Sequence, residues 1–150
     1  MNRKFALAAF FSLLAAGQAL SAEGPSKTAV FAGGCFWCVE SDFEKLPGVL
    51  DAVSGYSGGS LEYPTYQNHT GHREAVLVTY DPAVVGYRAL VDYFLRHIDP
   101  TDDSGQFCDR GNQYRPVIFA HSDEQLKLAT EGKGAIDASK KFSTPVAVQV

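Results

Sequence analysis

The chain has 150 residues, of which 45% are hydrophobic, 20% charged and 12% aromatic, and its formal net charge is −4. That length holds one domain with one core, and the acidic balance excludes an electrostatic nucleic-acid binder, which needs a basic surface. The aromatic content argues against disorder, no apolar run reaches the ~18–20 residues of a membrane-spanning helix, and three cysteines are too few for a disulfide scaffold.

The chain opens with Arg3 and Lys4, an apolar run over residues 5–16, and small residues at Ala19, Ser21 and Ala22. This is the layout of a secretory signal peptide over residues 1–22; the alternative is a buried or amphipathic N-terminal helix. Cleavage near Ala22 predicts an exported chain, residues 23–150, periplasmic or secreted and free of the membrane. It then works where thiols tend to oxidise. Residues 28–31 predict a short strand, broken by Gly33-Gly34. Residues 36–46 predict a helix, with Val39, Phe43 and Leu46 at helical spacing, stopped by Pro47-Gly48. A strand over 49–53 precedes a turn at Gly55-Tyr56-Ser57-Gly58-Gly59. Residues 60–72 read as a polar, aromatic loop, and 75–80 as a strand closed by Asp81-Pro82. Residues 87–98 form a helix with Leu90, Phe94, Leu95 and Ile98 on one face. A long polar loop spans 99–115, and 117–120 is a strand. Ser122 and Gln125 resemble a capping box opening a helix to about Lys140, weakened by Gly132 and Gly134. Residues 145–150 predict a last strand. This order points to an α+β fold with helices packed on one sheet of mixed direction. The loops 55–72 and 99–115 exceed ordinary connector lengths, and such loops are often functional.

The chemistry starts at Gly33-Gly34-Cys35-Phe36-Trp37-Cys38. Cys35 follows a strand and a Gly-Gly turn and opens a helix, where unpaired N–H groups and the dipole favour a thiolate. Cys38 lies on the same side of the first helical turn, so the pair can close a disulfide. Reactive chemistry competes here with a static disulfide or a buried thiol pair. Phe36 and Trp37 form either an apolar wall beside the sulfur or plain core.

Gly-Cys-Phe-Trp after a short strand resembles the active-site motif of the A-type peptide methionine sulfoxide reductases (the MsrA family). The likeness continues in order through Leu46-Pro47-Gly48-Val49, Gly55-Tyr56-Ser57-Gly58-Gly59, Pro64-Thr65-Tyr66, Gly71-His72 and Glu74-Ala75-Val76. It goes on through Tyr80-Asp81-Pro82, His97-Ile98-Asp99-Pro100-Thr101, Asp109-Arg110-Gly111 and Gln113-Tyr114-Arg115. Each fragment alone is weak; their order and spacing together are highly specific.

The resemblance implies a ferredoxin-like, two-layer sandwich on a mainly antiparallel sheet. It implies reduction of the S epimer of methionine sulfoxide, free or in peptides and proteins. Cys35 falls on the nucleophile and Glu74 on the acid that protonates the sulfoxide oxygen. Tyr66 and Tyr114 fall on hydroxyls that bind that oxygen, Phe36 and Trp37 on the methyl pocket, and Asp109 on a polar residue of the binding site. Cys38 and Cys108 are the candidates to resolve the Cys35 sulfenic acid as a disulfide. A thioredoxin-like protein or a small dithiol supplies electrons to a monomer that binds no cofactor or metal. The stretch between Tyr66 and Glu74 is shorter than in many members, Tyr63 stands where asparagine is common, and the family's C-terminal tail is expected to be missing after Val150. His72 either tunes the acid or supports a loop, and His69, His97 and His121 read as structural or solvated. One rival is a thioredoxin-like thiol–disulfide oxidoreductase, which a C-x-x-C at a strand–helix junction permits but which leaves Glu74, Tyr66 and Tyr114 without work. Another is a metal module built on Cys35, Cys38, Cys108 and a histidine.

Overall fold

The computed structural model describes residues 25–150, so the expected signal peptide lies outside the described residues. The elements are β1 (Lys27–Ala32), α1 (Phe36–Phe43), β2 (Val49–Ser57), β3 (Arg73–Tyr80), α2 (Tyr87–His97), β4 (Gly105–Gln106), β5 (Asp109–Arg110), β6 (Val117–Phe119) and α3 (Asp123–Ser139). A single 3-10 turn covers Asn112–Tyr114. Four strands form one sheet in the order β2-β3-β1-β6, each pair antiparallel. With β3 inserted beside β1, this is the ferredoxin-like split β-α-β arrangement, and the α+β expectation holds. No helix among the described residues is long and apolar enough to cross a membrane.

The pleat decides which side chains meet the helices, because successive residues point to opposite faces. On β3, Glu74, Val76, Val78 and Tyr80 are buried toward the helices, whereas Leu77 between them is exposed. On β1, Ala29 and Phe31 face the same way and are fully buried. The Phe31 ring ties the layers together, lying 4.9 Å from Phe43 of α1 and 5.1 Å from Phe94 of α2. Helix α3 packs on α2 at Gly132, where a Cβ would stand 2.7 Å from Val91 Cγ1. The glycine that weakens the helical pattern is what lets the two helices close.

Several boundaries differ from the sequence expectation, each for a local reason. Helix α1 ends at Phe43, because the chain tightens into three-residue turns before Pro47, with Lys45 N–H on Asp42 O (3.2 Å) and Leu46 N–H on Phe43 O (3.0 Å). Strand β2 continues through Gly55-Tyr56-Ser57, since β3 pairs with it to the end, Tyr56 opposite Glu74 and Ser57 opposite Arg73. Residues 145–150 are not a strand. They make one parallel bridge, Val117 with Gln149, beside a β6 only three residues long and preceded by Pro116, which has no N–H to give. Ser122 Oγ does accept the Gln125 amide (3.1 Å), but the Gln125 side chain turns to the His121 amide (2.9 Å) and the Thr28 carbonyl (2.8 Å). On the free edge of the sheet, Glu40 of α1 accepts the Ser54 amide of β2 at 2.6 Å.

The loop 99–115 is ordered by one buried side chain. Gln106, 1% exposed, accepts from the Asp99 amide (2.7 Å) and donates to the Asp99 carbonyl (2.8 Å). Gln106→Ala removes both bonds to Asp99. It is expected to lower the unfolding free energy by about 1–3 kcal/mol, since each net hydrogen bond is worth roughly 0.5–1.5 kcal/mol; urea denaturation of the purified variant checks it.

Candidate active site

The turn between β1 and α1 needs a residue without a side chain. Gly34 sits at φ +91°, and a Cβ there would lie 2.7 Å from Gln106 Cβ. This turn delivers Cys35 to the N-cap of α1, where its carbonyl accepts from Cys38 N–H (3.1 Å) and Val39 N–H (3.2 Å). The Cys35 sulfur is half-buried and Cys38 is exposed; all three cysteines are free thiols. Cys38 and Cys35 line the same cleft. The neighbouring Cys35 thiol, with desolvation and the charges of Asp109 and Asp42, pushes the Cys38 thiol above its usual range.

Glu74 comes to the same place from the sheet. The alternation that buries Val76 and Val78 also turns Glu74 inward, and it is 2% exposed. Its Oε2 accepts the Phe36 amide at 3.1 Å, the N–H of the residue that follows Cys35. Burial pushes the Glu74 carboxyl up and Asp109 adds to that; the Phe36 amide and His69 pull the other way without cancelling it.

The aromatic residues form a shelf beside this pair. Phe36, itself buried, meets Trp37 at 5.3 Å, Tyr56 at 5.6 Å and Tyr66 at 6.4 Å between ring centroids. Trp37 is 58% exposed and stacks on Tyr66 with the rings 5.6 Å apart and 13° from parallel. Phe36 thus belongs to the core and to the site at once. Burial raises the Tyr114 hydroxyl, and so do the neighbouring charges of Glu74, Asp109 and Tyr66. Asp109 also lines a cleft with Cys35 and Cys38. Six of the expected residues therefore gather around Cys35: Phe36, Trp37, Tyr66, Glu74, Asp109 and Tyr114.

Cys108 does not join them in the same way. With Phe107 it forms the tip of the β4–β5 hairpin, where Gln106 pairs with Asp109. It is exposed and is absent from the lining of that cleft. His72 is a loop support: Nδ1 accepts the Gly59 amide at 3.3 Å and Nε2 reaches the Leu61 carbonyl at 3.0 Å. Sequence reasoning missed Tyr56. It stands opposite Glu74, packs on Phe36 and stacks on His69 at 4.9 Å, and its hydroxyl is raised by burial and by Glu74. The alternation Ala52, Ser54, Tyr56 was the available signal, but the surrounding glycines and serines read as a turn. His69 has the structural place the sequence predicts, stacked on Tyr56 and hydrogen-bonded to the Thr65 carbonyl. Among the described residues, no three His, Cys, Asp or Glu side chains converge as a metal site requires.

The model of the family described as peptide methionine sulfoxide reductase matches residues 27–150. The chain is 46% identical to the peptide methionine sulfoxide reductase MsrA/MsrB of Vibrio cholerae, over all of this chain and 44% of that one. It is 50% identical to the MsrA of Ligilactobacillus salivarius, over 82% of this chain and 74% of that one. The chain thus spans less than half of the first relative's length and about three quarters of the second's. Among solved structures, reduced Mxr1 from Saccharomyces cerevisiae superposes with a TM-score of 0.76 at 31% identity, over 83% of this chain and 75% of that one. Mxr1 in complex with Trx2 gives a TM-score of 0.60 at 28% identity, over 82% and 73%. A match that runs from β1 to Val150, with relatives up to half identical over most of the chain, means that the chain belongs to the peptide methionine sulfoxide reductase family.

Proposed function

We propose that this chain reduces methionine S-sulfoxide, free or in peptides and proteins, to methionine at Cys35. One observation carries the reading: a buried carboxyl, Glu74, is hydrogen-bonded to the backbone amide next to the nucleophilic sulfur. A sulfoxide oxygen leaves sulfur only as it gains a proton, and a carboxyl whose pKa burial raises is suited to give one. The Cys35 thiolate attacks the sulfoxide sulfur while Glu74 protonates the oxygen. The S–O bond breaks, methionine departs, and the oxygen ends on Cys35 as a sulfenic acid. Two electrons have then moved from Cys35 to the substrate sulfur.

Each remaining residue has work in that scheme. Tyr66 and Tyr114 hold the oxygen through their hydroxyl protons, and burial keeps Tyr114 protonated. Phe36 and Trp37 receive the S-methyl group against aromatic faces. Asp109 binds polar atoms of the substrate chain. Cys38 resolves the sulfenic acid: its thiol displaces the hydroxyl from Cys35, the disulfide forms, and water leaves. Its place beside Cys35 in one cleft, which Cys108 does not line, supports Cys38 over Cys108. A thioredoxin-like protein restores the dithiol, in keeping with the Mxr1–Trx2 complex. The protein acts as a monomer in the periplasm or outside the cell, a reading supported by the signal-like residues 1–22.

Given a racemic sulfoxide peptide and dithiothreitol, the protein is expected to consume one epimer only. Cys35→Ser is expected to consume neither; steady turnover by that variant removes Cys35 as the nucleophile. Cys38→Ser is expected to release one equivalent of methionine and stall, whereas Cys108→Ser turns over normally; rapid-quench and steady-state assays separate the two. The wild-type single-turnover rate is expected to fall as pH rises through the elevated pKa of Glu74, because only the protonated form donates. Glu74→Gln is expected to lower that rate by about 10²–10⁴-fold and to flatten its pH profile; an unchanged profile would show that another group gives the proton. N-terminal sequencing of protein from the periplasm is expected to begin close to residue 23.

A further inference from the structure

Cys35 stands between two different surfaces. On one side are Glu74 and the aromatic shelf of Phe36, Trp37 and Tyr66. On the other, α1, α2 and the β4–β5 hairpin enclose a cleft of about 160 Å³, whose lining includes Cys35, Cys38, Asp42, His97, Phe107 and Asp109. None of Phe36, Trp37, Tyr66, Glu74 or Tyr114 lines it, and Asp109 is the one proposed substrate-binding residue that borders both regions. The exposed sulfur of the pair, Cys38, opens to this second side.

Phe107 stands at the mouth of the cleft. It is 68% exposed and is held at φ +49°, a left-handed backbone that a bulky residue rarely adopts. Such outliers persist where the surrounding structure enforces them, and they cluster at working sites. Phe107 and Ile98 also line a larger groove of about 640 Å³ between α2 and α3, which carries Ile136, Phe142 and Lys141. One surface therefore runs from the two thiols, across a projecting aromatic ring, into a wide groove. A small dithiol needs only the mouth of the cleft. A protein that must bring its own thiol to Cys38 needs a platform around it, with a large apolar anchor near the centre.

We propose that this α2-side surface, with Phe107 as its anchor, is where a protein dithiol of the thioredoxin type docks, beside the aromatic shelf and not on it. The proposal rests on the reading of Cys35 and Cys38 as the nucleophile and its resolver. The partner's thiolate attacks Cys38 Sγ, the accessible sulfur of the Cys35–Cys38 disulfide. A mixed disulfide forms and Cys35 leaves as a thiolate. The partner's second thiolate then closes the partner's own disulfide and releases Cys38, which takes up a proton. Two electrons pass from the partner dithiol to the enzyme disulfide. The aromatic shelf of Phe36, Trp37 and Tyr66 takes no part in this cleft, so the partner reaches Cys38 without displacing it.

Phe107→Gly tests this, because glycine accepts the left-handed backbone without strain. Turnover of a sulfoxide peptide is driven either by dithiothreitol or by a bacterial thioredoxin with its reductase and NADPH. With thioredoxin, the KM for thioredoxin is expected to rise at least tenfold. With dithiothreitol, kcat and the KM for the peptide are expected to stay at wild-type values. An unchanged thioredoxin KM overturns the proposal. So does a raised peptide KM under dithiothreitol, which assigns the surface to the substrate chain instead. Phe142→Ser, farther along the groove and away from the hairpin, is expected to shift the thioredoxin KM in the same direction; this keeps the test decisive if the hairpin variant folds poorly. Wild-type protein that is inactive with both reductants defeats the catalytic reading itself, a result distinct from a docking failure.

Discussion

The bond from the Phe36 amide to Glu74 ties the end of a strand to the start of a helix. It joins β3 to α1 across 38 residues of sequence, and Cys35 is the residue just before the joint. A buried carboxylate is costly unless its oxygens are satisfied. The first amides of a helix are unpaired donors at its positive end. Each group therefore offsets the other's cost. The balance is not complete, because burial outweighs the amide bond and the carboxyl stays easier to protonate than one in water. A carboxyl whose affinity for its proton is raised, one residue from a thiol, is what the proposed chemistry asks for.

Everything near that joint serves to hold it still. Gly34 allows the backbone to turn against Gln106, and Gln106 in turn fastens the loop at Asp99. Phe36 is locked between the core and Tyr56, so the shelf it shares with Trp37 and Tyr66 is anchored from beneath. His72 braces the opposite loop through Gly59 and Leu61. The reactive groups come from four separate stretches of chain, and side-chain packing on one sheet brings them together. Precision of this kind depends on supporting contacts as much as on the reacting groups.

Much of the frame was legible in the sequence because periodicity reports burial. The continuous apolar run of residues 75–80 corresponds to β3, and the helical spacing of Leu90, Phe94 and Leu95 corresponds to α2 with that face inward. The Gly-Gly-Cys turn was legible because glycine at a strand–helix junction has few other uses. Tyr56 was not, because glycine and serine around it mimic a turn, and its place in β2 depends on a partner strand far along the chain. The nearness of Cys38 to Cys35 was legible in the three-residue spacing at a helix start, whereas the place of Cys108 at a hairpin tip outside the cleft depends on how β4 and β5 pair. Residues 145–150 have the apolar character of a strand but make only one bridge, since burial of Val146 and Val148 comes from packing and not from a ladder. Gly132 looked like a helix flaw and is a helix–helix contact.

The carboxylate of Glu40 on the Ser54 amide bears on how this sheet meets other molecules. Strand β2 is an outer strand, and its unpaired backbone is a template on which another chain can add. A charged side chain already bound there occupies one rung and repels the approach of a further extended segment. The same helix that presents the sulfur thus shields the rim of the sheet. The rim nearest the sulfur is thus closed to strand addition at Ser54 by the chain's own carboxylate.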